Sequence, residues 1–181
     1  MAGVEVSIVV PCVGMYEITR RCVDAVMDTV SVDYELVIVC DSPDDRMMEW
    51  LSSLALKGMA KLSISPRPRG CATAYNDGII MSEGRYIAIV NNDCIPLEGW
   101  LDALLKVLKE HPEYGWVSSA IVDGGGEVRH GFSACTCCLF TREALDVVGL
   151  FDERFSGGMG FEDDDMYRRF LLAGYEPHGV R

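Results

Sequence analysis

The sequence has few basic residues and no run of them. Lys and Arg number 16 against 28 Asp and Glu in 181 residues, which gives a formal net charge of −12 at pH 7. Proteins that bind nucleic acids or anionic membrane surfaces hold phosphate groups through basic patches. The shortage of basic charge therefore argues against both kinds of partner. A small anionic ligand stays compatible with this charge if a divalent cation mediates its binding.

Long apolar runs are also missing. A membrane-spanning helix needs about 20 consecutive apolar residues, and the longest apolar candidate, residues 4–16, contains Glu5 and Pro11. No basic stretch precedes this run, as a secretory leader would require. We therefore expect a cytoplasmic protein without an integral membrane segment. Its length fits one domain that spans residues 1–181.

Three well-known nucleotide and nucleophile motifs are absent. No G-x-G-x-x-G follows the first apolar run, and neither G-x-x-x-x-G-K-[ST] nor G-x-S-x-G occurs. These absences argue against a dinucleotide-binding Rossmann domain, a P-loop NTPase and an α/β-hydrolase.

Cysteine, by contrast, is abundant, with eight residues that lie mostly inside apolar segments. Free cysteine is among the most buried residue types and behaves as a small hydrophobe, so buried free thiols are the favoured interpretation. Cys135 and Cys138 form a C-x-x-C without a second pair or a His at zinc-site spacing, which makes a structural zinc the weaker alternative. Disulfide bonds are the third alternative for these cysteines.

Short apolar runs alternate with helical patterns along the chain. The patterns predict strands at residues 6–10, 36–40, 61–64, 85–90, 114–122, 128–132 and 134–140. They predict helices at residues 16–30, 43–57, 71–81, 99–110, 142–148 and 161–173. This alternation indicates an α/β domain on a mostly parallel sheet. Ligands of such sheets bind beyond the carboxyl ends of the strands, where this sequence has residues 11–14, Asp41 and 91–93.

Two of these strand ends carry oxygen-rich side chains. Asp41 is either a carboxylate that accepts hydrogen bonds from a nucleoside, or a turn acid before a helix with Ser42 as its N-cap and Pro43 as its first residue. The oxygens of residues 91–93 suit a hard cation such as Mg²⁺ or Mn²⁺, which takes one or two protein carboxylates plus substrate phosphates. The alternative is an ordinary Asn/Asp turn.

Four consecutive acids, residues 162–165, open the last predicted helix. Acids at a helix N-terminus interact favourably with the helix dipole, which is the structural interpretation. Adjacent carboxylates also repel one another and raise at least one pKa, and a carboxylate with a raised pKa is a better general base. The glycine-rich segment 156–160 directly before them is a candidate for a loop that moves over a substrate.

Taken in order, these segments resemble the family 2 inverting nucleotide-sugar glycosyltransferases of the GT-A fold along nearly the whole chain. The resemblance rests on residues 6–11, 34–42, 69–79, 84–93, Pro96, 99–101, 149–153 and 162–165. It implies an α/β, Rossmann-like fold with a mostly parallel central sheet flanked by helices. It also implies a nucleotide-sugar donor half, about residues 1–95, and a short acceptor half, about residues 96–181.

The same resemblance implies roles for single residues. Binding of the nucleotide-sugar would fall to Pro11, Cys12, Gly14, Asp41, Arg69, Asn76 and Asn92. Asp93 would coordinate Mn²⁺ or Mg²⁺. Asp163 would be the catalytic base, with Glu162 aiding acceptor binding. The acceptor would be bordered by residues 134–138 and 157–160.

The implied reaction is the inverting, metal-dependent transfer of a sugar from a nucleotide-diphospho-sugar to a hydroxyl of a glycan, protein or lipid-linked acceptor. A sugar nucleotidyltransferase is one alternative, but it needs an early glycine-rich, basic signature that residues 12–20 lack. A non-catalytic nucleotide-sugar-binding module is the other. Because the acceptor half is short, a homodimer is a candidate arrangement for completing it.

Overall fold

The computed structural model describes residues 3–122, 128–130, 135–155 and 161–180. The strands are β1 Val6–Val13, β2 Tyr34–Asp41, β3 Lys61–Ser65, β4 Tyr86–Val90, β5 Trp116–Ser118, β6 Ala120–Val122, β7 Val128–His130, β8 Cys137–Thr141 and β9 His178–Gly179. The helices are α1 Tyr16–Thr29, α2 Asp45–Leu56, α3 Cys71–Met81, α4 Trp100–Glu110, α5 Arg142–Val148 and α6 Phe161–Leu172. None of the helices in the described part of the chain is long and apolar enough to cross a bilayer.

Seven strands form the central sheet in the order β3-β2-β1-β4-β8-β5-β9. The strands β3, β2, β1 and β4 are mutually parallel, while β8 runs antiparallel to both β4 and β5. The prediction of an α/β fold with a mostly parallel sheet is therefore confirmed. Both faces of this sheet are covered by helices, which explains why its central strands read as continuous apolar runs.

The register of the parallel strands brings the predicted strand-end residues to one edge. Cys12 pairs with Cys40 and Val13 with Asp41 across β1 and β2. Val9 pairs with Ile89 across β1 and β4, so Asn91 follows at the level of Pro11. The carboxyl ends of β1, β2 and β4 thus meet, and the loops that follow them share one side of the molecule.

Two hydrophobic layers hold the helices on the sheet. One face packs against α1, α2 and α4, and the other packs against α3, α5 and α6. On the second face the rings of Trp116, Phe140 and Phe170 lie 5.1 to 5.8 Å apart between centroids. These rings fix α6, which carries the acids at residues 162–165, against the end of the sheet where β5 and β8 pair.

Two sequence predictions of local structure are wrong. The predicted strand 114–122 is split, because β5 stays in the main sheet while β6 leaves it to pair with β7. The N-cap of α2 is Asp44 rather than Ser42, since the Asp44 carboxylate accepts a hydrogen bond from the Met47 N–H at 2.7 Å. Ser42 instead has a left-handed backbone with φ 52°, and its N–H bonds to the Ser65 carbonyl.

Helix α3 approaches β1 so closely that Gly78 leaves no room for a side chain. A Cβ at this position would overlap Cγ1 of Val9, which is completely buried. We expect Gly78→Ala to lower the free energy of unfolding by about 2 kcal/mol, because overpacking outweighs the better helix propensity of alanine. Urea unfolding of the variant in the wild-type and Val9→Ala backgrounds checks this. In the Val9→Ala background the cost should nearly vanish, and an equal cost in both would contradict the close contact.

Candidate functional site

The loop after β1 brings backbone, rather than side chains, to the site edge. Pro11 and Cys12 are buried within β1, with Cys12 in the hydrophobic layer opposite Cys40. Because both residues are buried in this way, their side chains are not presented to a nucleotide. Gly14 and Met15 both have left-handed backbones, with φ of 56° and 57°. The Gly14 N–H donates to the Asp41 carbonyl at 3.0 Å, which joins the ends of β1 and β2.

Asp41 is buried and paired with Arg69. Its Oδ2 accepts from the backbone N–H of Arg69 at 2.7 Å, and its Oδ1 accepts from Arg69 Nε and Nη2 at 3.0 and 2.9 Å. The Arg69 Nη1 reaches Asp77 Oδ2 at 2.8 Å, and Ser63 donates to the same oxygen. The hydrogen bond to Asp41 is the main cause that raises the pKa of Arg69. This pair satisfies a buried carboxylate and leaves the guanidinium partly exposed at the rim of the site.

The loop after β4 is held in place by its backbone. The Asn91 N–H donates to the Thr136 carbonyl at 2.8 Å, and the Asn91 carbonyl accepts from the Cys94 N–H at 2.9 Å. The Tyr75 hydroxyl donates to Asn91 Oδ1 at 3.2 Å. Asp93 lies exposed at the tip of this loop, without a hydrogen bond or ion pair to any other described residue. A fixed loop thus presents one unpaired carboxylate.

The donor set of this loop fits a cation that is shared with a ligand. No group of three or more His, Cys, Asp or Glu side chains that could hold a metal exists within the described ranges. Asp93 supplies one carboxylate and the neighbouring Asn92 an amide oxygen, both of which are hard oxygen donors. Mg²⁺ and Mn²⁺ sites commonly combine so few protein ligands with phosphate oxygens and water. The protein side chains alone would leave such a site incomplete.

Asp93 also stands at the rim of a cavity of about 440 Å³. Its walls are mostly apolar and include Ile95, Leu97, Trp100, Ala103, Ile121 and Val180. The cavity lies between the loop after β4, helix α4 and strand β6.

The acids that open α6 differ in their surroundings. Asp163 Oδ2 accepts from the Cys135 N–H at 3.0 Å, while Asp163 Oδ1 and Glu162 Oε2 are buried without a hydrogen-bond partner in the described structure. Burial raises the pKa of Asp163 to about 6 against the opposing effect of the Cys135 hydrogen bond, and the charge of Glu162 adds to the rise. Asp165 forms an ion pair with Arg169 at 2.8 Å. Asp163 and Glu162 therefore each keep one buried carboxylate oxygen without a partner among the described residues, whereas Asp165 is paired and stabilises the helix.

Asn76 occupies a supporting position behind the site. Its Nδ2 donates to the Phe151 carbonyl and to Glu153 Oε1, both at 2.9 Å, and its Oδ1 accepts from the Phe151 N–H at 2.9 Å. Only 3% of the residue is exposed. With both ends of its amide engaged, Asn76 fixes the segment after α5 to α3, and the expected direct contact with a nucleotide does not fit this geometry.

Two polar residues of the site were missed from the sequence. Thr19 and Tyr75 are buried on the apolar faces of α1 and α3, and they hydrogen bond to Asn92 and Asn91 respectively. A buried hydroxyl needs a hydrogen-bond partner. A polar residue on an apolar helix face was therefore the sequence feature that could have identified both residues.

Six of the eight cysteines are buried, while Cys71 is exposed and Cys94 is intermediate. All eight are free thiols, as the favoured interpretation expected. The hydrogen bond with Cys40, together with burial, raises the pKa of the Cys12 thiol, and burial raises the pKa of the Cys135 thiol, so both stay protonated. Residues 134–138 and 157–160 were expected to border an acceptor. Residues 134 and 157–160 lie outside the described residues. Cys135, Cys137 and Cys138 are buried beside α6 and β4.

Relatives of this chain carry related sequences and folds. Glycosyltransferase GlyG of Streptococcus pneumoniae serotype 4 is 26% identical over 106 residues, which cover 58% of this chain and 35% of GlyG. The uncharacterized glycosyltransferase EpsJ of Bacillus subtilis is 30% identical over 88 residues, which cover 49% of this chain and 26% of EpsJ. The chain thus spans about a third or less of the length of these relatives.

Solved structures with the same fold superpose on almost the whole of this chain. TarS 1-349 of S. aureus in complex with UDP superposes with a TM-score of 0.76 at 17% identity, over 97% of this chain and 57% of TarS 1-349. The mannosyltransferase PcManGT of Pyrobaculum calidifontis, in complex with GDP-Man and Mn²⁺, gives 0.75 at 18% identity, over 100% of this chain and 55% of PcManGT. These similarities establish the GT-A fold.

The family is established by the sequence itself. The profile described as Glycosyl transferase family 2 matches residues 7–133, a range that contains the loop after β1, the Asp41–Arg69 pair and Asp93. This match covers well over half of the chain, so the protein belongs to glycosyl transferase family 2.

Proposed function

We propose that this domain transfers a sugar from a nucleotide-diphospho-sugar to an acceptor hydroxyl, with inversion at the anomeric carbon. The observation that carries the proposal is that the Asp41–Arg69 pair and the unpaired Asp93 follow neighbouring parallel strands, while the partly buried Asp163 of α6 is joined to the loop after β4 through residues 135 and 136. Related structures contain UDP in TarS 1-349 and GDP-Man with Mn²⁺ in PcManGT. Those ligands support a nucleotide-sugar as the donor here.

The donor half, about residues 1–95, binds the nucleotide in this proposal. Asp41 Oδ2 accepts one hydrogen bond among the described residues, from the Arg69 N–H, and a carboxylate oxygen can accept two. Arg69 uses three of its five N–H groups on Asp41 and Asp77, which leaves two for base or phosphate oxygens. Gly14, in its left-handed conformation, lets the backbone after β1 come close to a ligand.

The loop after β4 receives the diphosphate. Asp93, with the Asn92 amide oxygen beside it, would hold Mn²⁺ or Mg²⁺, which when bound supplies positive charge that stabilises the departing diphosphate. The protein's own part is to keep the Asp93 carboxylate in place, through the backbone hydrogen bonds of Asn91. An acidic protein can bind an anionic nucleotide in this way.

Asp163 acts as the general base in the short acceptor half, about residues 96–181. The Cys135 N–H orients the carboxylate through Oδ2, and the buried, unpartnered Oδ1 is the atom that takes the proton of the acceptor hydroxyl in this proposal. As that proton leaves, the acceptor oxygen bonds to the anomeric carbon while the bond to the nucleoside diphosphate breaks. A single displacement from the opposite face inverts the configuration. Glu162, buried beside Asp163, helps to bind the acceptor.

The raised pKa of Asp163 gives a pH dependence. Because a base must be ionised to accept a proton, we expect kcat/KM for the acceptor to be constant above pH 7 and to fall about tenfold per pH unit below a pKa of about 6. An aspartate with an ordinary pKa of about 4 would keep kcat/KM constant down to about pH 5. Initial rates between pH 4.5 and 8.5 at saturating donor decide between the two profiles.

Product analysis tests the reaction class. Incubation with UDP- and GDP-sugars, Mn²⁺ and a panel of simple glycosides should release nucleoside diphosphate and yield a glycoside of inverted anomeric configuration, both measurable by NMR. Release of pyrophosphate from a nucleoside triphosphate and a sugar phosphate would indicate a nucleotidyltransferase instead. Donor binding without turnover, unchanged in Asp163→Asn, would indicate a non-catalytic binding module.

A further inference from the structure

Thr19 is a completely buried polar side chain on the apolar face of α1. Its hydroxyl donates to the Gly14 carbonyl at 3.2 Å. The same oxygen accepts from Asn92 Nδ2 at 2.9 Å. The Thr19 side chain thus joins the loop after β1 to the loop after β4. Thr19 and Asn92 are 73 residues apart in the sequence.

The direction of these hydrogen bonds sets the orientation of the Asn92 amide. A threonine hydroxyl has a single proton to donate, and a carbonyl can only accept. Since the Thr19 proton goes to the Gly14 carbonyl, the Thr19 oxygen must accept from Asn92. Asn92 therefore turns its NH₂ group towards Thr19, and its Oδ1 faces the other way with no donor among the described residues.

The adjacent Asn91 is held in the opposite sense. The Tyr75 hydroxyl donates to Asn91 Oδ1, and the NH₂ group of this amide has no acceptor among the described residues. Two neighbouring residues of the same type thus offer different groups. Asn92 offers an oxygen one residue before Asp93, and oxygen donors suit a divalent cation or a ribose hydroxyl.

We propose that Thr19 is a positioning residue, which holds the Asn92 oxygen towards the donor and its cation while it anchors the loop at Gly14. This inference rests on the proposed function, because it takes a nucleotide diphosphate as the ligand. Thr19 itself is buried and does not touch the ligand. Its effect on binding must therefore pass through Asn92 and Gly14.

Four variants separate this role from a general effect on folding. Thr19→Val keeps the shape of the side chain but removes both hydrogen bonds, whereas Thr19→Ser keeps the hydroxyl. Asn92→Ala removes the amide, and the double variant Thr19→Val/Asn92→Ala completes a cycle that measures their coupling. Thermal melting of each variant shows whether it is folded at the assay temperature.

Binding of UDP and GDP is measured by titration calorimetry, with Mn²⁺ and with a chelator. We expect Thr19→Val to weaken the Mn²⁺-supported affinity about tenfold, which corresponds to loss of one oriented hydrogen-bonding group, and Thr19→Ser to stay within about twofold. In the Asn92→Ala background, Thr19→Val should weaken this affinity by no more than about twofold. The side-chain NH₂ resonance of Asn92 should shift in Thr19→Val and not in Thr19→Ser.

Three outcomes would overturn the inference: equal affinities of Thr19→Val and wild type, an equal loss in Thr19→Ser, or the same loss with and without the Asn92 amide. Each of these leaves the proposed function intact, because the wild-type protein still binds nucleotide. Failure of the wild-type protein to bind either nucleotide would overturn the proposed function and the ligand role of Asn92 together. In that case the NH₂ resonance would still report whether Thr19 orients the amide.

Discussion

Replacement of Asp163 by asparagine is expected to lower kcat about 1000-fold, because a positioned general base contributes roughly 10²–10⁴-fold to the rate. The amide has almost no basicity, so it cannot take the proton of the acceptor hydroxyl. Donor affinity should stay within about twofold of wild type, since Asp163 lies on α6 and not on the strand ends that hold the nucleotide. Initial rates and calorimetric donor titrations of Asp163→Asn measure the two quantities separately.

Folding of this variant should be preserved. An asparagine carbonyl can still accept the Cys135 N–H, and the substitution removes a buried carboxylate whose pKa is raised to about 6. A raised pKa means that ionisation disfavours the folded state, so the stability of the wild type falls as pH rises from about 4 to 6 and stays lower above it. At pH 7.5 the melting temperature of Asp163→Asn should therefore be equal to that of wild type or higher.

Asp165→Asn is the matched control for this experiment. It removes a carboxylate two residues further along the same helix, where the side chain pairs with Arg169 and has no assigned role in catalysis. Its kcat should stay within about threefold of wild type, while its stability falls by less than about 1 kcal/mol. If Asp163→Asn keeps more than a tenth of the wild-type rate, or if both variants lose activity equally, Asp163 is not the base.

Asp93→Asn is expected to have the second largest effect, a loss of about 100-fold in kcat/KM at low Mn²⁺ concentration. Asp93 lies between Asn92 and Cys94 in the loop after β4, and no described residue forms an ion pair with it. The amide would bind a divalent cation much less tightly, and loss of charge stabilisation at a departing group costs several kcal/mol in such reactions. Increasing Mn²⁺ should restore part of the activity.

Glu98→Gln is the control for Asp93→Asn, because Glu98 is an exposed acid five residues away that the proposal does not use. The measurement is the Mn²⁺ dependence of the rate for wild type and both variants. We expect the half-maximal Mn²⁺ concentration to rise in Asp93→Asn and to stay constant in Glu98→Gln. The same Mn²⁺ dependence in all three proteins would show that Asp93 does not hold the cation.

Much of the fold could be predicted because strand and helix patterns are local. The apolar runs before Asp41 and Asn91 indicate buried parallel strands, and the rule for their carboxyl ends then places both residues at one edge. The break between β5 and β6 could not be predicted, because an apolar run does not indicate the residue at which the chain passes from one sheet to another. The helix start was misplaced because Ser42 and Asp44 are both good N-caps, and only the contact with Met47 decides between them.

The candidate site was harder to predict, because its side chains are arranged by contacts between distant segments. Arg69 binds Asp41 across 28 residues, a pairing that no local pattern reveals. Asn76 belongs to a motif that resembles a nucleotide-binding helix, yet its amide is directed at Phe151. Thr19 acts through Asn92, and its only signal in the sequence is a polar residue on an apolar helix face.

Binding of a nucleotide-sugar at the carboxyl ends of β1, β2 and β4 is the central claim, and calorimetric titration tests it most directly. The wild-type protein is titrated with UDP-, GDP- and dTDP-sugars in the presence of Mn²⁺ and again with a chelator. We predict saturable binding of at least one of them, with a dissociation constant of about 1 μM to 1 mM, and a large loss of affinity with the chelator or in Asp93→Asn. Absence of binding to all three sugars in the presence of Mn²⁺ would contradict the account.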